Sequence, residues 1–276
     1  MKHFIYPIFV SILILFIGCT EIEMPLTDPP IPDNGRAVLI EELTGVSCVN
    51  CPKGAAAVKD IEARFPDKVF AVGLHGILLS APVTGRSRFD FRTPEGAALE
   101  TSFTFLGKPS AVINRVPFSN TFMGNPATGQ WLAAVERELQ KPHVLNLLAG
   151  VKYDDISRKI DLDVTAIPLI NLDGLYTISI YLTESKIIDA QQDGNIIRDE
   201  YEHNHVLMAM MTAVNGDVLD SNLKKNALIQ RKYSYTLPTE PQGLWNPENM
   251  QVVVMVAASN GPDRSVQQAI GVYVKK

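Results

Sequence analysis

Two cysteines separated by two residues, Cys48-Val49-Asn50-Cys51, are the densest chemical signal in the chain. At a helix start such a pair can close a small disulfide, and the first sulfur faces unpaired backbone N–H groups at the positive end of the helix dipole. That setting lowers a thiol pKa below its free value of about 8.5 and makes a thiolate nucleophile. The second cysteine, one turn along, can resolve a mixed disulfide. Two other chemistries use the same spacing. One is an inert structural disulfide, although so short a loop constrains the unfolded chain little. The other is half of a zinc site, which lacks further cysteine ligands because only Cys19 remains. Lys53, Lys108 and His75 are the charged or titratable candidates for the neighbourhood of the sulfurs. Downstream, His203-Asn204-His205 puts two imidazoles on one face if the segment is a strand. A metal would need a third ligand that the sequence does not offer, so a structural pair capping the sheets or touching the cysteine-bearing half is expected.

The elements that must position these groups follow from the apolar pattern. Ala37-Val38-Leu39-Ile40 reads as a buried strand running into Glu41-Glu42. Ala55, Val58, Ile61 and Phe65 recur at three- and four-residue spacing, which predicts an amphipathic helix that stops before Pro66. Lys68 to Leu74 is a second buried strand, completing a β-α-β unit. Some 35 residues then precede Pro109, more than ordinary connections hold, so residues 77–106 read as an insertion. It contains a helix from Pro94 to Phe103, with Thr93 as N-cap, whose face is expected to cover the thiols. Pro109 directly precedes a short strand, and a last helix, Gly129 to Lys141, carries Trp131, Val135 and Leu139. Beyond Pro142 the texture is all-β, with strands expected at 144–152, 160–166, 176–182, 204–214, 228–237, 250–258 and 266–274. Seven such strands predict an immunoglobulin-like sandwich without a cysteine pair. The chain therefore divides into an α/β domain, 36–142, and a β-sandwich domain, 143–276, expected to pack separately.

Composition narrows the class. The 276 residues carry 25 Lys+Arg against 30 Asp+Glu and are 46% hydrophobic, an ordinary globular balance whose acidity argues against nucleic acid as a partner. Residues 1–18 read as a secretory signal, with one Lys and an apolar run from Ile8 to Ile17. The step Phe16-Ile17-Gly18-Cys19 resembles the lipobox of bacterial lipoproteins, which implies acylation of Cys19 and a membrane held by a lipid anchor. Residues 19–35, with Pro25, Pro29, Pro30 and Pro32, then act as a tether. No Gly-x-Ser-x-Gly and no phosphate-binding glycine loop occurs, so no cofactor is expected.

The strand leading to Cys48-Val49-Asn50-Cys51, together with Pro109, resembles the thioredoxin-like superfamily. The resemblance implies that Glu42, six residues before Cys48, is the buried carboxylate and that Pro109 is the cis-proline packed against the disulfide. Glu41 could equally face inward, given the strand period of two. Val46-Ser47 departs from the superfamily's aromatic residue before the first cysteine. Over nearly the whole chain, Glu41-Glu42-Leu43-Thr44-Gly45, Cys48 to Gly54, Gly107-Lys108-Pro109, Asn114-Arg115, Tyr201 to Leu207 and Val266-Gln267-Gln268-Ala269 resemble the outer membrane protein 28 related lipoproteins of Gram-negative bacteria. That resemblance implies a thioredoxin-like domain before a β-sandwich, on an outer-membrane lipoprotein of the cell envelope. Two functions stay open: thiol-disulfide exchange on exported protein thiols or disulfides, with Cys48, Cys51, Pro109 and Glu42 as the site, or an envelope binding protein whose cysteine pair is structural.

Overall fold

The computed structural model describes Met1, residues 34–239 and residues 243–275. The signal segment, Cys19 and nearly all of the tether lie outside the described residues. The described residues from 34 onward form one compact unit.

The α/β half is built from β1 (Val38–Thr44), α1 (Cys51–Arg64), β2 (Val69–His75), α2 (Pro94–Ser102), β3 (Ser110–Ile113) and α3 (Trp131–Leu139). β1 is central, parallel to β2 and antiparallel to β3. Both faces of β1 are buried, which explains its continuous apolar run. Val38 and Ile40 pack with Val58 and Ile61 of α1 and with Trp131 and Val135 of α3. Leu39 and Leu43 face the opposite way, into a core shared with the later strands.

Those strands are β4 (Leu145–Asp154), β5 (Lys159–Pro168), β6 (Leu172–Glu184), β7 (Ile187–Asp193), β8 (Ile196–His203), β9 (Val206–Met210), β10 (Asp217–Leu223), β11 (Ile229–Thr236), β12 (Met250–Ala258) and β13 (Val266–Tyr273). The result is β-rich with mixed sheets. One sheet has the order β13-β12-β6-β9-β2-β1-β3, with β10 also on β6; a second is β11-β5-β4; a third is the hairpin β7-β8. Alternate residues of β6 and β12 point both ways. Ile178, Ile180, Val252 and Val254 meet Leu147, Ile160 and Leu162 of the three-stranded sheet, while Tyr181, Val253 and Met255 meet Leu39, Phe70 and Leu74. Each fully buried large aliphatic side chain contributes roughly 1.5–3 kcal/mol.

The separate packing expected on either side of residue 142 is therefore not what forms. The change of texture at that residue is real, but β2 and β9 join where the Gly73 N–H donates to His205 O at 2.7 Å. A polar clasp closes the far side. Arg36 donates to Glu138 O at 2.7 Å and to Gln267 O at 3.0 Å, and the Ala37 N–H donates to Gln268 Oε1 at 2.8 Å. Asn114 Oδ1 accepts from Leu39 N, and its amide reaches Glu138 Oε2. The bonds from Arg36 and Ala37 to Gln267 and Gln268 cross between the halves and, with the shared core, join them. Limited proteolysis should accordingly give one resistant core over 34–275 with no early cut near Pro142; two stable fragments meeting there would contradict the shared core.

Candidate functional site

Cys48 and Cys51 form a disulfide. The helix begins at Cys51, with Asn50 at the N-cap and Pro52 in the first turn. Cys48 thus lies in the preceding turn, where its N–H donates to Gly45 O and its carbonyl accepts from Cys51 N. Lys108–Pro109 is a cis peptide bond directly before β3.

Period-two alternation along β1 separates the two glutamates. Glu41 faces the shared core, fully buried, and is spent in a two-pronged pair with Arg115 at 2.7 and 2.8 Å, with the Tyr181 hydroxyl donating at 2.8 Å. Glu42 faces α1. A Cβ on Gly54 would come within 2.6 Å of Glu42 Oε1, 2.8 Å of Pro109 Cβ and 3.2 Å of Trp131 Cη2. The missing side chain at residue 54 is what lets carboxylate, proline and tryptophan converge under the first turn of α1. Glu42 Oε1 is buried and has no hydrogen-bond partner among the described residues. Burial pushes the Glu42 pKa up to about 7, with His205 and Lys108 pulling weakly the other way.

Lys108 is buried, and burial pulls its ammonium down while Glu100 at 2.7 Å opposes the shift. It donates to Thr44 O and Ser80 Oγ. Lys53 is remote from this network, its ammonium reaching only Asn50 Oδ1 at 3.4 Å. His75 is buried rather than at the surface, its ring edge-on to Phe91 at 5.2 Å, and His203 meets the same ring at 4.8 Å. Burial lowers the His75 pKa to about 3 and that of His203 to about 4, so both are neutral at physiological pH. The two imidazoles of His203-Asn204-His205 do not share a strand face, because the chain turns after β8 and His205 adopts a positive φ. His205 instead bridges Glu62 of α1 at 2.9 Å. No group of three or more His, Cys, Asp or Glu among the described residues is arranged to hold a metal ion.

The cover over the sulfurs is not the one expected. α2 turns Leu99 into the shared core, and its Glu100 accepts from the N–H groups of Ile77 and Leu78. The disulfide is instead capped by the hairpin β7-β8. The Gln192 N–H donates to Val46 O at 2.8 Å and the Gly194 N–H to Val49 O at 2.9 Å. Gln191 Nε2 reaches Gly45 O and Cys48 O at 3.3 and 3.2 Å. Cys48 is left 1% exposed and Cys51 2%. Between α1 and β8 remains a cleft of about 570 Å³ with Glu42, Cys51, Tyr201 and His203 on its walls. Gln191, Gln192, Gly194 and Glu100 escaped the sequence reading; the signal available for the hairpin was Gly194-Asn195, a two-residue turn between short runs.

The profile of the family described as Outer membrane protein Omp28 matches residues 96–275, well over half of the chain. The chain belongs to the Omp28 family. Membership places it at the outer membrane of the bacterial cell envelope, and among the described residues no helix is long and apolar enough to cross a membrane. The matched region begins after Cys48 and Cys51, so it includes Glu100, Pro109 and the covering hairpin but not the disulfide. Among solved structures, HBP35 of Porphyromonas gingivalis is similar at TM-score 0.66 and 15% identity, over 87% of this chain and 76% of that one. Protein AGR_C_4864 of Agrobacterium tumefaciens is similar at TM-score 0.53 and 12% identity, over 88% and 96%. These likenesses concern the fold. No curated protein matches the sequence.

Proposed function

We propose that this envelope protein carries out thiol-disulfide exchange on exported protein thiols or disulfides, through a thioredoxin-like half braced by an immunoglobulin-like sandwich and held at the membrane by acylated Cys19. The observation that carries the reading is Glu42: a carboxyl buried beneath the first turn of α1, with an unpartnered oxygen and a pKa near 7. A buried carboxyl without a partner is costly. A purely structural disulfide has no use for one, whereas exchange must move a proton at the second sulfur. The order β2-β1-β3 with α1 and α3 on one face, and the cis Lys108–Pro109 bond, support the thioredoxin-like reading.

In the oxidised direction a partner thiolate attacks Cys48 Sγ, the Cys48–Cys51 bond breaks, and Cys51 leaves as a thiolate that Glu42 protonates. A second partner thiol then gives up its proton to solvent and, as a thiolate, attacks its own chain's sulfur in the mixed disulfide and displaces Cys48. The partner loses two electrons and closes its own disulfide, while the pair ends as a Cys51 thiol and a Cys48 thiolate, and Glu42 takes its proton back from solvent. Pro109 shapes the edge against which the partner strand would lie. The alternative reading, an envelope binding protein with a structural disulfide, draws on the near-complete burial of both sulfurs.

Trapping separates the two. Cys51→Ala should accumulate mixed disulfides through Cys48 at least tenfold above Cys48→Ala when each is exposed to reduced or oxidised unfolded polypeptide. Equal, negligible trapping by both variants would leave the structural reading standing.

A further inference from the structure

Four hydrogen bonds from the tip of the β7-β8 hairpin end on residues 45–49, the turn that contains Cys48. Gly45 O, Val46 O, Cys48 O and Val49 O are the acceptors. Little else fastens the tip of the hairpin. β8 is mostly exposed from Ile196 to Glu202, so apolar burial adds little there. At its base the hairpin is pinned to the insertion, where Asp189 accepts from Arg88 N and Phe89 N at 2.8 and 3.0 Å; nearer the tip, Asp199 beside Arg198 adds a solvent-exposed pair with Arg86, a contact worth little. The arrangement is a flap with a fixed root and a tip gripped by one turn of backbone.

We propose that this hairpin is a redox-sensitive latch, docked while Cys48–Cys51 is oxidised and released at its tip when the pair is reduced. It deepens the exchange reading by stating how the sulfurs become reachable, and rests on that reading only for its purpose. Reduction by a dithiol transfers two electrons and two protons: the S–S bond becomes two S–H groups while the reductant closes its own disulfide. Two thiols must then separate to van der Waals distance, roughly 4 Å, and Cys48, 1% exposed beneath the hairpin, sits in the turn that has to give. The movement falls on the turn that carries the four acceptor carbonyls, and hydrogen bonds weaken steeply once misaligned. A thiolate forming where Cys48 is 1% and Cys51 2% exposed would also be poorly solvated, which favours the open flap.

Amide hydrogen exchange of Gln192 and Gly194 tests the latch. Treating the full chain with dithiothreitol should speed exchange at both at least tenfold, while Ile180 and Val254 in the β6-β12 pair keep their protection and certify the fold. The double variant Cys48→Ser, Cys51→Ser should show the same loosening without reductant, so resistance of the native disulfide to dithiothreitol cannot mask the result. Gln191→Ala, which keeps the disulfide, should make its reduction by dithiothreitol at least tenfold faster. Protection at Gln192 and Gly194 that is the same in the oxidised protein and the double variant, or a reduction rate indifferent to Gln191, would overturn the proposal. Trapping through Cys48 reads the exchange reaction on its own, so a latch without exchange and exchange without a latch give different pairs of results.

Discussion

Arg115→Met should destabilise the fold by about 3–5 kcal/mol, because it strands a buried carboxylate. Glu41 is fully buried, and Arg115 supplies its two short hydrogen bonds, from Nη2 at 2.7 Å and Nε at 2.8 Å. Tyr181, which also receives a bond from Arg115 at 2.9 Å, would be the one donor left. The guanidinium lies over the Phe103 ring at 5.5 Å, so packing is lost as well. Burial works against the Arg115 charge, but Glu41 and Tyr181 together outweigh it and hold the guanidinium above its usual pKa. In a unit of this size the loss corresponds to a fall in Tm of roughly 10 °C. Glu41→Leu combined with Arg115→Met removes both charges and should recover most of the loss, since a buried pair is strong to break and cheap to replace. A double-mutant cycle giving a coupling below about 1 kcal/mol would show that the pair is not the connection it looks to be.

Glu42→Gln should do the opposite above neutral pH. A carboxyl whose folded pKa is raised from 4.5 to about 7 binds its proton more tightly in the native state than in the unfolded chain. Between those two values the folded form therefore loses stability as pH rises, and above 7 the full penalty is present. At 1.36 kcal/mol per pKa unit the ceiling is roughly 3 kcal/mol. The variant should match the wild type below about pH 4.5 and exceed it by up to that amount at pH 8, read from urea midpoints at each pH. His75 and His203 act in the reverse sense. Buried neutral with pKa near 3 and 4, they drain stability as pH falls below about 6.5, where the unfolded imidazoles take up protons. Both proteins share that loss, so the difference between them isolates Glu42. A difference that does not change between pH 4.5 and 8 would assign the titration elsewhere. Slower exchange in the same variant would tie the proton to the chemistry.

Much of the architecture was legible because it is local. Apolar runs ended by Glu41-Glu42 and His75 mark β1 and β2, and the spacing of Val58 and Ile61 marks α1. Trp131 and Val135, both fully buried, face inward as their spacing implies. The alternating strands fell near their expected positions. Three strands were missed for a common reason: β8 is exposed along most of its length, β7 is paired with it, and β10 buries only Leu219 and Leu223 of its seven residues. A strand without an alternating apolar face leaves no period to read. The choice between Glu41 and Glu42 needed a partner rather than a pattern, since both are buried and only Arg115 distinguishes them. The docking of the two halves was likewise invisible, because Arg36 meeting Gln267 and Gln191 meeting Cys48 join residues more than a hundred positions apart.

That last separation has a consequence for biogenesis. Gln191 follows Cys48 by 143 residues, and a chain delivered across a membrane with its N-terminus leading presents the cysteines long before the segment that seals them. Vectorial delivery thus sets the order in which the cysteines and their cover appear. A disulfide closed before Gln191 emerges would be made on an uncovered turn, which the C-terminal half covers only on its arrival.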